Sequence, residues 1–342
     1  MKYRFIAIIH YLKLNKPDCR IPLASGMISN KAAVLNDVLN YKSKLSLHTL
    51  GRHSIDEFEN KTFYVVDGDF DAGVTLDDVN AFGTSMAFAY LRQIQWLTDN
   101  FWYLRDNSIY VRDGFLFAYD KEIEDGYSFK ASLSTINTKA TTQFENVIFS
   151  KEEIIEIAKD MKVVNVKDVQ SGSNFIEVTQ HQYFKSADVG RKMMAWIYIF
   201  HARAIAAITI KVLMYITAME ALVSTSTAEL SHQVAERVAL LIGANADDRI
   251  CIYNNIKKGY GVRSKAAHGE PQKGSEQDVA GLLVQLDEYM RHLMKLDSPY
   301  DLEQGKLNEF FVKRLMGLEN CATDCEKERV PVSRIIGACN NQ

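Results

Sequence analysis

Residues 193–223 read MMAWIYIFHARAIAAITIKVLMYITAMEALV. This is the most apolar stretch of the chain, and how it is read decides the fold. His201, Arg203, Lys211 and Glu220 interrupt it, so no unbroken run reaches the roughly 18–20 residues that span a bilayer. It reads as core helix, either one long helix or two. Downstream, every segment has helical signals. Ser226 and Glu229 form a capping box for 228–242, with Gly243 at the stop position. Asn245, with Asp247 and Asp248, opens the next helix, and Ser275 with Asp278 opens another. Pro299 ends that one, and 306–318 forms a last helix before a polar tail. Upstream, Ser186 is the candidate cap of the whole array.

The N-terminal half is different. Strand-like runs recur at 3–10, 62–66, 108–119, 127–132 and 174–179, punctuated by Asp, Gly and Asn. One strong helix, 76–103, follows a Thr75 cap with Asp77 and Asp78 in its first turn. A second, 151–162, follows Ser150, and 168–174 reads as a loop or linker. The expected class is therefore α+β: a mixed domain over 1–185, an all-α bundle over 186–318 and a polar tail over 319–342.

The 342 residues carry 40 basic and 43 acidic side chains, a formal net charge of −3. A surface that coats nucleic acid everywhere would be strongly basic, so any nucleic-acid contact must be local. Five cysteines, Cys19, Cys251, Cys321, Cys325 and Cys339, are too few for a disulfide scaffold. With no secretory h-region at the start, the expected location is a reducing cytoplasm, with no membrane partner. Asp67-Gly68-Asp69-Phe70-Asp71 imitates the start of a calcium loop, but Ala72 and Asp78 occupy positions that need Gly and Glu. Cys321 and Cys325 have no His nearby to complete a zinc set. The expectation is no metal and no cofactor.

The chemistry concentrates in Ile256-Lys257-Lys258-Gly259-Tyr260-Gly261-Val262-Arg263-Ser264-Lys265-Ala266-Ala267-His268-Gly269-Glu270-Pro271. Between Lys257 and Lys273 five cations face one anion, Glu270. A concentrated positive field suits phosphate, Arg supplies a permanent charge, and His transfers protons near neutral pH. Ser264 and His268 are i, i+4 neighbours on a helix, and Arg263 is long enough to bend toward their face. The plain alternative is a solvated helix end with a dipole-favoured His stopped by Gly269.

Arg263-x4-His268 resembles the R-x4–6-H motif of HEPN ribonucleases. Met219-Glu220-Ala221-Leu222, then Glu229-Leu230-Ser231…Ala239-Leu240-Leu241-Ile242-Gly243, then Ile252-Tyr253, then Arg263-Ser264-Lys265…His268-Gly269 follow the order of Apea-like HEPN domains. The resemblance covers residues 187–295. It departs at Ser264, where many relatives carry Asn, Asp or His, and at Gly259 and Gly261, which loosen the motif helix. It implies a metal-independent endoribonuclease in which the RNA 2′-OH attacks the adjacent phosphate, leaving a 2′,3′-cyclic phosphate and a 5′-OH. Arg263 would neutralise phosphoryl charge and His268 would move a proton, with Ser264 bonding phosphate or His268. Lys257, Lys258 and Lys265 would hold flanking phosphates. Glu220 needs a cationic partner in its apolar setting: Arg263 by the resemblance, with Arg203, Lys211 or solvent as alternatives. The resemblance also implies a role in phage defence or as a toxin. A homodimer or higher homo-oligomer with a shared cleft is expected, and an activator could act through the N-terminal domain. The alternative function is a non-catalytic RNA-binding, sensor or oligomerisation module.

Overall fold

The computed structural model describes residues 1–39, 44–120, 126–171, 190–296 and 299–317. The α+β class holds, and no described helix is long and apolar enough to cross a membrane. The chain separates into two compact units, residues 1–139 with 144–180 and residues 140–143 with 181–342.

The first unit is built on strands β1 (Lys2–Ile9), β2 (Leu12–Leu14), β3 (Arg20–Pro22), β4 (Met27–Ser29), β5 (Thr62–Asp69), β6 (Asp113–Tyr119), β7 (Tyr127–Ser132) and β8 (Val147–Phe149). Six form one antiparallel sheet in the order β3-β4-β5-β1-β6-β7, while β2 and β8 pair separately in parallel. β1 is nearly continuous in apolar residues because it is central and both its faces are covered. Tyr3, Phe5, Ala7 and Ile9 face the core formed with α3 (Leu76–Asn100). Ile6 and Ile8 face the opposite core, with α1 (Ala32–Leu39) and α2 (Lys44–Phe58). The Thr75 capping box on α3 is present, and a short 3₁₀ turn, Phe101–Tyr103, extends it. Helix α4 (Lys151–Ala158) has its own Ser150–Glu153 capping box but ends four residues before Lys162. Its Lys159 N–H bonds Glu156 O, which tightens the final turn.

Two expectations fail here. Regular strand pairing begins at Asp113, not at 108; Asn107 Oδ1 instead accepts from Ile109 N, and Ser108 Oγ bonds the Glu145 backbone. Such local side-chain bonds compete with a ladder. Within 168–174, Asp168 to Gln170 belong to helix α5 (Val166–Gln170), whose Asn165 cap accepts from Lys167 N and which buries Val169. The expected strand at 174–179, the Ser186 cap, the tail from 319 and Cys321, Cys325 and Cys339 lie outside the described residues.

His10 follows β1 and stacks on Tyr110, with ring centroids 4.7 Å apart. Burial lowers its imidazole to about 4, with Glu57 offsetting only part of that. The unfolded side chain titrates near 6.5. As pH falls between these values the unfolded chain takes up a proton that the folded chain refuses, so stability drops. The loss is expected to be on the order of 2 kcal/mol. Urea midpoints at neutral and acid pH check this, and His10→Gln is expected to flatten the dependence.

Among the described residues, the regular elements of the second unit are all helices: α6 (Arg191–Ala204), α7 (Ile208–Val223), α8 (Leu230–Ile242), α9 (Ala246–His268), α10 (Glu276–Lys295) and α11 (Gln304–Leu315). The apolar stretch that opened the sequence reading is thus two helices, broken where Ile205 and Ala207 turn extended. They fold back on each other, and α7 becomes the central helix, packed by α6, α8, α9 and α10. That position explains why α7 is apolar almost all round. The Ser226–Glu229 capping box does not form. Helix α8 starts at Leu230, after Glu229 adopts a left-handed conformation. Gln233 instead accepts from Thr225 N and donates to Ser226 Oγ. Asn245 caps α9 through Asp248 N, the Ser275–Asp278 box caps α10, and α11 runs from Gln304 rather than Lys306.

Candidate functional site

Helix α9 carries every candidate residue except Glu220, and it runs unbroken through Gly259 and Gly261. Gly259 has a packing cause: a Cβ there would lie 2.8 Å from Ile216 Cδ1 on α7. Gly261 has none, since a Cβ would meet nothing within 4 Å. The helix stops at Gly269, whose φ of 71° is the left-handed conformation a glycine supplies cheaply, and Glu270 N bonds back to Lys265 O.

Arg263 points inward. Its Nη2 lies 3.3 Å from Glu220 Oε2, across the α7–α9 contact, with the Glu220 side chain 13% exposed. The guanidinium also sits 5.8 Å from the Tyr260 ring centroid. Burial pushes the Tyr260 hydroxyl well up, and the Glu220 carboxylate beside it adds to the rise. Tyr260 OH, Glu220 Oε1 and Arg263 Nε are all buried without a hydrogen-bond partner. The ion pair is therefore one contact, longer than the roughly 2.7–2.9 Å of a good charge-assisted bond.

His268 is the last residue of α9 and is exposed, as is Ser264 one turn before it. The Arg263 guanidinium is engaged with Glu220 of α7. Five residues along a regular helix turn the direction by about 140°, and Glu220 holds the guanidinium on the far side. The lysines also divide. Lys257 Nζ bonds Ser231 Oγ of α8 at 2.8 Å, whereas Lys258 and Lys265 line an open groove of about 810 Å³ between α9 and α10. Lys273 joins them from the connecting loop, which Gln272 ties to α9 by a 3.1 Å bond to Val262 O.

Sequence reasoning missed Tyr260, although its place three residues before Arg263 puts both on one helix face. It also missed the groove, whose signal is the i, i+3, i+4, i+7 spacing of Lys258, Gly261, Val262 and Lys265. Among the described residues no three His, Cys, Asp or Glu side chains gather as a metal site, and Asp67 and Asp69 lie within β5. Set against known proteins, the chain matches no family profile, no curated protein and no solved structure.

Proposed function

We propose that the chain is a HEPN-type endoribonuclease that cuts RNA without a metal, by attack of the RNA's own 2′-OH, and that it serves in phage defence or as a toxin in the cytoplasm. The observation that supports this most is α9 itself. It ends in an exposed histidine, its arginine contacts Glu220 of α7, and lysines line its open side. Arg263 would neutralise the charge that develops on phosphorus. His268 would transfer a proton to the leaving 5′-oxygen or from the 2′-OH. The test is the length distribution of single-stranded RNA after incubation with the purified chain in EDTA, beside His268→Ala.

The turn of about 140° between Arg263 and His268 along α9 favours a two-fold homodimer, in which one protomer's Arg263 and its partner's His268 share a cleft. Helix α6 offers apolar surface for such pairing: Met193 is 46% exposed, and Met194, Trp196, Tyr198 and Phe200 are only half-buried. Mixing wild type with excess His268→Ala protein is expected to depress cleavage beyond simple dilution, and sedimentation should show a dimer at micromolar concentration. A monomer that cuts at full rate contradicts the shared cleft. An activator, phage-derived or cellular, would act through the N-terminal unit.

A second reading has one observation in its favour. Arg263 already has a carboxylate partner, as in a non-catalytic RNA-binding, sensor or oligomerisation module that keeps the fold and lacks the reaction. RNA that binds but stays full length would support it.

A further inference from the structure

We infer that the groove between α9 and α10 holds a segment of single-stranded RNA next to His268; this rests on the reading of RNA as the ligand of α9. The groove is open, and its lining is cationic and amide-rich. Lys258 and Lys265 stand two helical turns apart, about 10.5 Å along α9, and Lys273 closes the end contributed by the loop. None of the three amines pairs with a carboxylate among the described residues. The one acid in the lining, Asp278, is held below the ordinary carboxylate range by its bonds to Ser275, which commit it to capping α10. Three free cations spread along a groove suit a chain of phosphates better than a single one.

The neutral lining identifies the strand. No aromatic ring lines the groove, so bases are not recognised by stacking. Gln277 and Gln285 of α10 and Asn254 of α9 also line the groove, and such amides both donate to and accept from base edges and sugar hydroxyls. The 2′-OH is what these groups can read to separate RNA from DNA. Lys265 is one turn from His268, so a strand in the groove runs to the candidate proton-transfer residue.

Two glycines give an independent indication. Gly261 and Gly281 line the groove from opposite helices, and a Cβ at either would meet nothing within 4 Å among the described residues. Mid-helix glycine weakens a helix relative to alanine, and no neighbour in this unit requires either one. Close approach of an outside group would account for both. A second copy of the chain is disfavoured as that group, because two-fold pairing through this face would set its lysines against themselves.

The test measures binding of a labelled single-stranded RNA by fluorescence polarisation, using His268→Ala protein so that the probe stays intact. Adding Gly261→Ala or Gly281→Ala is expected to raise the melting temperature, yet weaken RNA binding about tenfold, equivalent to about 1.4 kcal/mol. Lys258→Ala and Lys273→Ala should each lower the slope of log affinity against log salt by about 0.7, and the matching DNA oligonucleotide should bind more weakly than RNA. Unchanged RNA affinity in both glycine variants overturns the inference. So does loss of self-association with RNA affinity retained, which would assign the groove to a second copy. Cleavage is scored separately on otherwise wild-type protein. If wild type binds RNA through the groove and never cuts it, the nuclease reading fails and the groove stands; if Gly281→Ala binds and cuts like wild type, the groove fails and the nuclease reading stands.

Discussion

His268→Ala protein is expected to cleave RNA at least about 100-fold more slowly than wild type while melting at the same temperature. The kinetic loss is the size expected when a positioned proton-transfer group is removed, on the order of 10²–10⁴-fold. The thermal silence comes from position. His268 is exposed at the last residue of α9, and the turn beyond it is set by Gly269 and the Glu270 N to Lys265 O bond. The imidazole adds only its interaction with the helix dipole, a few tenths of a kcal/mol when exposed. Cleavage rates and a thermal melt on the same preparation check both halves.

Arg263→Ala has a different signature. Taken from the sequence alone, this variant is expected to lose activity and keep its fold. The structure revises the second half, because removing the guanidinium leaves the Glu220 carboxylate in an apolar setting beside an unpartnered Tyr260 hydroxyl. An uncompensated carboxylate there is expected to cost about 2 kcal/mol, toward the low end for a buried pair because Arg263 is a third exposed. Glu220→Gln should be milder, and the double variant Arg263→Ala/Glu220→Gln should recover much of the loss, giving a coupling of about 1 kcal/mol or more. Activity should not recover in the double variant, since the phosphate contact is still missing. Urea unfolding of the four proteins measures the cycle. Additive losses would mean that Glu220 does not depend on Arg263.

These two variants separate what the sequence could and could not reveal. Elements whose signals are local were legible: the helix starts at Thr75, Ser150, Asn245 and Ser275, and the Gly269 stop. The doubly buried β1 was legible from its partial alternation, Lys2-Tyr3-Arg4-Phe5 leading into an apolar run. Features set by packing were not. Nothing in Ala204-Ile205-Ala206-Ala207 breaks a helix by propensity, and the bend between α6 and α7 exists because the two helices fold together. Ser226 and Glu229 have the spacing of a capping box, but Gln233 takes over the hydrogen bonds at that turn. The Arg263–His268 spacing by itself gives no sign that the arginine turns inward; its pairing with Glu220, 43 residues earlier, was expected from the resemblance alone and is present. Gly261 is legible as a helix weakness, and only its empty surroundings separate it from Gly259.

The central claim is that α9 cuts RNA by using the substrate's own 2′-OH. The most direct measurement is mass spectrometry of the product ends after incubation of the purified chain with a defined single-stranded RNA in EDTA. The account predicts a 2′,3′-cyclic phosphate on one fragment and a 5′-OH on the other, with no cut at a site where the 2′-OH is replaced by hydrogen. Fragments bearing 5′-phosphates, or RNA that remains full length under every condition in which the wild-type chain binds it, would contradict the account.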